Sequence, residues 1–437
     1  MSTLPTSRQT AQPAFIERTR QALYQAFRDV TKAARASLRS QAIRPDLPPD
    51  DLPNLRNQID ACLAGKGGAA SARARAAGLG QLYLTLSPIG RRRFFDLLAQ
   101  DYGVDTGGVE KAISDWQSAQ GDNKGAALIA LRERLDSPRL KLLSQFNGLE
   151  GGVKFLVDLR ADLMREARDN PALTLVDHEL RELLTGWFDV GFLYLRRIDW
   201  KAPAALLEKL IAYEAVHEIR SWTDLKNRLD SDRRCFAFFH PSMPDEPLIF
   251  VEVALVKGLA SNIHGLLDET APRLDPGDAD TAIFYSISNA QAGLAGVGFG
   301  DFLIKRVVDE LSRDLPDIKN FATLSPIPGL VGWLKSQDIH PDTLDETQWL
   351  KQAALYLYKA RRGAQAHDRV AHFHLSNGAR IERLNANADL TAKGIRQSGG
   401  VMVNYRYKLS DIEANHERYR ESGTIAASSD IKRLAEG

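Results

Sequence analysis

Cysteine is scarce: the 437 residues hold two, Cys62 and Cys235. Neither lies in a C-x-x-C pair, which excludes a disulfide-stapled scaffold and a dithiol redox motif and suits a reducing compartment. An excess of charge of one sign is also missing. Lys and Arg number 57 against 56 Asp and Glu, a formal net charge of +1, so no overall field steers a polyanion such as nucleic acid. No stretch approaches the ~18 consecutive apolar residues of a membrane span. The opening MSTLPTSRQTAQPAF lacks the apolar core of a secretory signal. The closing RLAEG carries neither an S-K-L address nor a lipidation box. These absences lead us to expect a soluble cytoplasmic protein with no nucleic-acid or membrane partner.

The composition is that of a globular chain, 44% hydrophobic and 26% charged. A core of ample size needs no disulfide or structural metal. At about 100–200 residues per domain, two or three domains are expected. Residues 1–150 read as an all-α helical bundle. Residues 15–38 are rich in Ala, Arg, Gln and Leu, and Leu82, Leu86, Phe94, Phe95, Leu97 and Leu98 mark apolar helical faces. The proline-rich 45–53 (PDLPPDDLP) reads as a turn or linker. The stretch 65–80 (GKGGAASARARAAGLG) lacks the P-loop spacing and reads as a connector between helices. Helices continue past Gly151: Val153, Leu156, Leu159 and Leu163 form one stripe, and Leu180, Leu183, Leu184, Trp187 and Phe188 another.

From about residue 230 strands appear. CFAFF (235–239) and LIFVEVAL (248–255) read as neighbouring strands, and TAIFYSIS (281–288) as a third. A glycine-rich loop follows at 289–300, with Gly293, Gly296, Gly298 and Gly300, then a helix over 301–311. Further strands are expected from 321, over 370–375 (VAHFHL) and over 401–407 (VMVNYRY). Strand, glycine loop and helix in succession can cradle a pyrophosphate on backbone N–H groups. The spacing is not that of a dinucleotide fold. It is loosely similar to the acyl-CoA loop of GNAT acetyltransferases, though an ordinary glycine-rich turn reads equally well.

Three polar features stand out on these apolar segments. With period-2 alternation, Phe284, Ser286 and Ser288 share one strand face, and Ser288 ends the strand beside the loop. A serine there can act on a ligand or satisfy itself locally. His372 and His374 share a face of the 370–375 strand, with Phe373 opposite. H-x-H suits a metal pair, a structural histidine, or a general acid or base. No further ligands cluster nearby, so no metal is expected. Tyr405 and Tyr407 are core aromatics or orient a catalytic group.

In order from residue 151, the blocks GGVKFLVDLRADL (151–163), EPLIFVEVAL (246–255), AIFYSIS (282–288), GLAGVGFGDFLIKRVVDEL (293–311), LSPIPG (324–329), VAHFHLSNGA (370–379) and NYRY (404–407) closely resemble malonyl-CoA decarboxylase. The resemblance implies a helical oligomerisation domain at 1–150 and a GNAT-like α/β catalytic domain at 151–437. It implies malonyl-CoA as substrate, acetyl-CoA and CO2 as products, no metal or redox cofactor, and a homo-oligomer, dimer or tetramer. It matches the family's catalytic serine to Ser288, its catalytic histidine to His374 and a supporting tyrosine to Tyr407. A substrate-contacting stretch matches Ala260, Ser261, Asn262, Ile263, His264, Gly265 and Leu266. The segment between Trp333 and Tyr356 is shorter than in animal members, as in a compact bacterial form. Two rivals remain at this level: an acyl-CoA-dependent acyltransferase, and a CoA-thioester sensor without turnover.

Overall fold

The computed structural model describes residues 8–33, 43–66, 68–298 and 300–436. Residues 34–38 of the first expected helix, Gly67 and Phe299 lie outside them. Nine helices come first among the described residues: α1 (Arg8–Ala33), α2 (Leu52–Leu63), α3 (Ala69–Thr85), α4 (Pro88–Asp101), α5 (Thr106–Ser118), α6 (Asn123–Leu135), α7 (Pro138–Ser144), α8 (Gly152–Glu166) and α9 (Pro171–Trp187). The segment 65–80 is not a connector, because most of it is α3. Small residues let helices close up there: a Cβ on Gly80 would lie 2.5 Å from the Phe27 ring of α1. Proline 53 sits in the first turn of α2, where its missing N–H costs nothing.

Helix α8 is the hub of this half. Val153, Leu156, Leu159 and Leu163 are buried, as their spacing requires. Asp162 on α8 accepts hydrogen bonds from Arg20 of α1 (3.0 Å), the Tyr83 hydroxyl of α3 (3.0 Å) and Arg91 of α4 (3.3 Å). Burial beside this carboxylate pushes the Tyr83 phenol well above its ordinary range.

The rest of the chain builds a sheet. In order come β1 (Tyr194–Ile198), α10 (Ala204–Tyr213), α11 (Trp222–Arg228), β2 (Arg233–Phe239), β3 (Ile249–Val256), α12 (Ile263–Leu266), β4 (Thr281–Asn289), α13 (Gly300–Asp314), β5 (Asn320–Thr323), β6 (Ser325–Pro326), α14 (Leu330–Ser336) and α15 (Glu346–Tyr358). A two-stranded ribbon follows, β7 (Arg361–Arg362) with β8 (Gln365–Ala366). Then come α16 (Arg369–Ser376), β9 (Arg380–Asn385), α17 (Ala392–Ser398), β10 (Met402–Tyr407), α18 (Ile412–Ser422) and α19 (Ser429–Glu436). The strands run β1-β2-β3-β4-β5-β10-β6, with β9 on the other side of β10. All pairings are antiparallel except β4 with β5. A helical region followed by a mixed sheet is what the resemblance implied.

On one face, Leu206, Leu207, Leu210 and Leu225 of α10 and α11 cover Cys235, Ala237, Phe239 and Phe250. On the other, Phe236, Phe238, Val251, Val253 and Phe284 join a core continuous with Phe27, Phe94 and Leu163 of the helices.

Two expectations fail here for local reasons. The segment 370–375 is helical, not a strand. The Asp368 carboxylate caps it by accepting the N–H groups of Val370 and Ala371, and Gly378 at φ +79° follows its end. Its buried residues, Ala371, His374 and Leu375, follow the i, i+3, i+4 period. The second failure is the shared face of Phe284 with the serines. The β3–β4 register shifts between the pairs Glu252–Ser286 and Val253–Phe284, leaving Tyr285 as an extra residue. Phe284 turns into the large core, whereas Ser288 stays across from Phe250 on the α10–α11 face.

Arg160 of α8 welds the two halves. Its guanidinium donates to the carbonyls of Gly293 (2.6 Å) and Ala295 (2.8 Å) and to Asp177 (2.9 Å), and the side chain is 2% exposed. Arg160→Ala strands these acceptors, and we expect a loss of about 3–5 kcal/mol in urea unfolding. A loss under about 1 kcal/mol would show that the contact carries no such load.

Candidate active site

The sheet opens at its centre. Strand β4 pairs with β5 from Thr281 to Phe284, and the last bond runs from the Leu324 N–H to the Phe284 carbonyl. Beyond it the second limb, β6, pairs with β10 instead. Ser286 and Ser288 are therefore on a limb with a strand neighbour on one side only. Ser325 lies on the opposing limb.

On the first limb the Ser288 hydroxyl, fully buried, accepts the Ala215 N–H (3.1 Å) and donates to Glu214 Oε2 (3.1 Å). Ser286 bonds both Glu214 oxygens (2.9 and 2.8 Å). Glu214 Oε1 also accepts the N–H groups of Val216 and His217, each at 2.7 Å. Behind this group, Arg228 pairs with Asp224 (2.7 Å) and Glu252 (3.0 Å). Burial pushes the Glu252 carboxyl up, and the Arg228 guanidinium beside it pulls it back down.

On the second limb His374, 3% exposed, faces Ser325 Oγ through Nε2 (3.1 Å) and the Tyr407 hydroxyl through Nδ1 (2.7 Å). Its ring stacks on Tyr405, with centroids 4.5 Å apart. Ser325 donates onward to Thr323 Oγ1 (2.8 Å). That direction assigns the imidazole proton to Nε2, so Nδ1 accepts from Tyr407. Desolvation alone pushes His374 down to about 3, which keeps it neutral at neutral pH. His372 points elsewhere, to the Tyr419 hydroxyl (2.9 Å). The two histidines are thus not a ligand pair.

The glycine loop divides its residues. A Cβ on buried Gly293 would lie 1.8 Å from the Val157 carbonyl, so this glycine serves the contact with α8. Gly296, at φ +78°, and Gly298 are exposed, and Gly300 begins α13. In the 260–266 stretch, Asn262 caps α12 by accepting the His264 N–H (2.8 Å). Ser261, Asn262, His264 and Gly265 are exposed, and Ile263 and Leu266 buried. The Ala260 carbonyl accepts from Asn404 (3.0 Å), whose amide also reaches the Thr323 carbonyl (2.7 Å). A cavity of about 1020 Å³ lies beside α12, walled also by Val216, His217, Glu218 and Arg220 and by Asp389, Thr391 and Lys393. Its wall at Val216 directly follows Ala215, the partner of Ser288.

The structure thus joins His374 to Tyr407, and places 260–266 beside both this limb and the cavity. Ser288 belongs to a separate cluster. Among the described residues no hydrogen bond links it to His374.

Models of the malonyl-CoA decarboxylase N-terminal domain match residues 102–188, and those of the C-terminal domain residues 191–351 and 340–437. The chain belongs to the malonyl-CoA decarboxylase family. The mitochondrial malonyl-CoA decarboxylase of Anser anser anser is 38% identical over 398 residues, covering 78% of this chain and 79% of its own. That of Mus musculus is 34% identical, covering 91% of each. The crystal structure of malonyl-CoA decarboxylase from Rhodopseudomonas palustris is 41% identical with a TM-score of 0.83, covering 87% of this chain and 99% of that one. The Agrobacterium vitis malonyl-CoA decarboxylase is 39% identical with a TM-score of 0.82, covering 88% and 100%.

Within this decarboxylase-family frame, several site neighbours escaped sequence reasoning. Glu214 lies in AYEAVHE just after α10 and resembles any helix-end glutamate. Ser325 and Thr323 look like filler before the prolines of LSPIPG. Asp368 offers a usable signal, an Asp two residues before an apolar run. His217 also lines the cavity, and burial pushes it down to about 3.

The buried histidines give a pH test. An unfolded chain protonates each near its ordinary 6.5, the folded protein only near 3. Between those values the unfolded state binds more protons, so stability falls as pH falls through that window. Each histidine contributes a slope of about 1.4 kcal/mol per pH unit. We expect His374→Gln to flatten the urea-midpoint profile from pH 6.5 to 4 by one proton's worth. Parallel profiles for the two proteins would refute burial as a neutral imidazole.

Proposed function

We propose that this chain decarboxylates malonyl-CoA to acetyl-CoA and CO2, with Ser288 and His374 acting from the two limbs of the opened sheet. The observation that supports this best is the buried His374 imidazole, held by Ser325 at Nε2 (3.1 Å) and by the Tyr407 hydroxyl at Nδ1 (2.7 Å). Breaking the bond to the carboxylate carbon releases CO2 and leaves an electron pair on the α-carbon, delocalised as a thioester enolate. The Ser288 hydroxyl orients the malonyl group and donates to the developing oxyanion. His374 delivers its Nε2 proton to the α-carbon while the Tyr407 hydroxyl gives its proton to Nδ1, so the negative charge ends on the Tyr407 oxygen and no free imidazolate forms. An enolate carbon is a far stronger base than a phenolate, so a neutral donor suffices. Solvent restores the proton after product leaves, and one proton is consumed per turnover. The exposed Gly296 and Gly298 of the loop and the 260–266 stretch hold the CoA portion. No step calls on a metal or redox group.

The protein should convert malonyl-CoA to equal amounts of acetyl-CoA and CO2 with no amine acceptor, at a rate unchanged by EDTA. Ser288→Ala and His374→Ala should each lower kcat by about 10²–10³ with smaller changes in KM. Intact malonyl-CoA left by the folded protein would overturn the reading. Wild-type kcat in either variant would remove that residue's role.

The helical part also fits a homo-oligomer of a cytoplasmic enzyme. Among the described residues no helix is long and apolar enough to cross a membrane. Ile113 of α5 and Leu128, Ile129 and Leu135 of α6 are exposed. Such side chains on one helical pair suit burial against a second copy. Ile129→Glu should shift the protein to a smaller species in light scattering. An unchanged mass would place the interface elsewhere.

A further inference from the structure

A buried carboxylate stands behind Ser288 that the reaction as described does not use. Glu214 is fully buried, and its two oxygens gather two hydroxyls and two backbone N–H groups. A serine hydroxyl has one proton to give. In the structure Ser288 gives it to Glu214 Oε2 and takes the Ala215 N–H, with the Ser286 hydroxyl 3.3 Å from its oxygen. The malonyl group offers only acceptors, a carboxylate and a thioester carbonyl. Ser288 cannot meet either until its proton leaves Glu214.

The surroundings make that release inexpensive. Ser286 bonds both oxygens of Glu214, and Val216 and His217 hold Oε1. When the Ser288 O–H bond turns away, Oε2 keeps Ser286, and the carboxylate is not orphaned. The backbone bond from Ala215 meanwhile keeps the Ser288 oxygen in place. Ala215 adjoins Glu214 in sequence, so one short segment fixes both the oxygen and its proton.

We propose that Glu214 is the positioning residue of Ser288, holding its proton in the empty site and yielding it to the malonyl oxygens when substrate binds, with Ser286 as the partner that makes the exchange possible. This rests on Ser288 acting in decarboxylation, so the experiment includes Ser288→Ala as the reference. In Glu214→Gln the amide can present N–H to the Ser288 oxygen, which disturbs the proton it should set. The expected loss in kcat is about tenfold to a hundredfold, with KM moved less. The same substitution in the Ser288→Ala background should cost nothing further. Ser286→Ala is the milder variant and tests the exchange directly. Without Ser286, releasing Ser288 strands Oε2, so kcat should fall several-fold in the presence of Ser288 and stay level in its absence.

Coupling of both substitutions to Ser288 supports the proposal. Equal losses in both backgrounds, or wild-type kcat in folded Glu214→Gln and Ser286→Ala, would overturn it and leave a structural carboxylate. If Glu214→Gln does not fold, the Ser286→Ala pair decides in the same way. Wild-type turnover by Ser288→Ala would instead sink the role of Ser288 itself, an outcome distinct from the others.

Discussion

The parting of β4 from the second limb is the constraint on which the site depends. Parallel pairing holds from Thr281 to Phe284 and then ends, while Ser325 and Pro326 continue the pairing with β10 that β5 begins. A sheet interior leaves no room for a substrate, since every backbone group is engaged with a neighbouring strand. Ending the ladder in mid-sheet gives Ser286 and Ser288 a strand neighbour on one side only, while both stay buried. The cost is polar groups in an apolar setting, and each limb answers it with its own side-chain network. The β3–β4 bulge belongs to the same solution, because it turns Ser286 and Ser288 toward Glu214 while Phe284 returns to the core.

The two networks differ in charge. Around His374 the partners are hydroxyls, and burial pushes the ring toward its neutral form. Around Ser288 a carboxylate collects hydroxyls and amides, while Arg228 is already shared by Asp224 and Glu252. Position is secured from a distance. Asp368 caps α16 and touches the Gly329 N–H (3.4 Å) and the Tyr356 hydroxyl (3.3 Å). The helix that carries His374 is thereby tied to the loop after β6. On Gly329 a Cβ would lie 2.1 Å from that Tyr356 oxygen, so only glycine allows the approach.

Much of this was legible in the sequence, and the failures share a cause. The strands at 235–239, 248–255 and 281–288 were readable because both their faces are apolar and turn residues bound them. The pairing of His374 with a supporting Tyr407 came only through resemblance, since 33 positions separate the two residues that the structure joins by a hydrogen bond. The segment 370–375 misled because six residues fit two periods equally well. The cap that decides between them, Asp368, lies just outside the window. The bulge at Tyr285 has no sequence mark, so the facing of Phe284 could not be read. Glu214 was invisible for a deeper reason. A buried carboxylate is recognisable only by what surrounds it, and here the nearest hydroxyls come from residues 72 and 74 positions away.

The charge arrangement bears on how the proposed reaction would be driven. During decarboxylation, negative charge leaves the carboxylate and moves to the thioester oxygen. A cation held against the carboxylate stabilises the ground state more than the transition state and slows the step. Donors aimed at the thioester oxygen do the reverse. A neutral His374 brings no positive charge to the carboxylate, and Arg228 is held behind Ser286 by two carboxylates of its own. Burial, which keeps the imidazole uncharged, also strengthens each remaining hydrogen bond to the enolate. The same desolvation that costs folding stability below pH 6.5 would therefore favour the proposed chemistry.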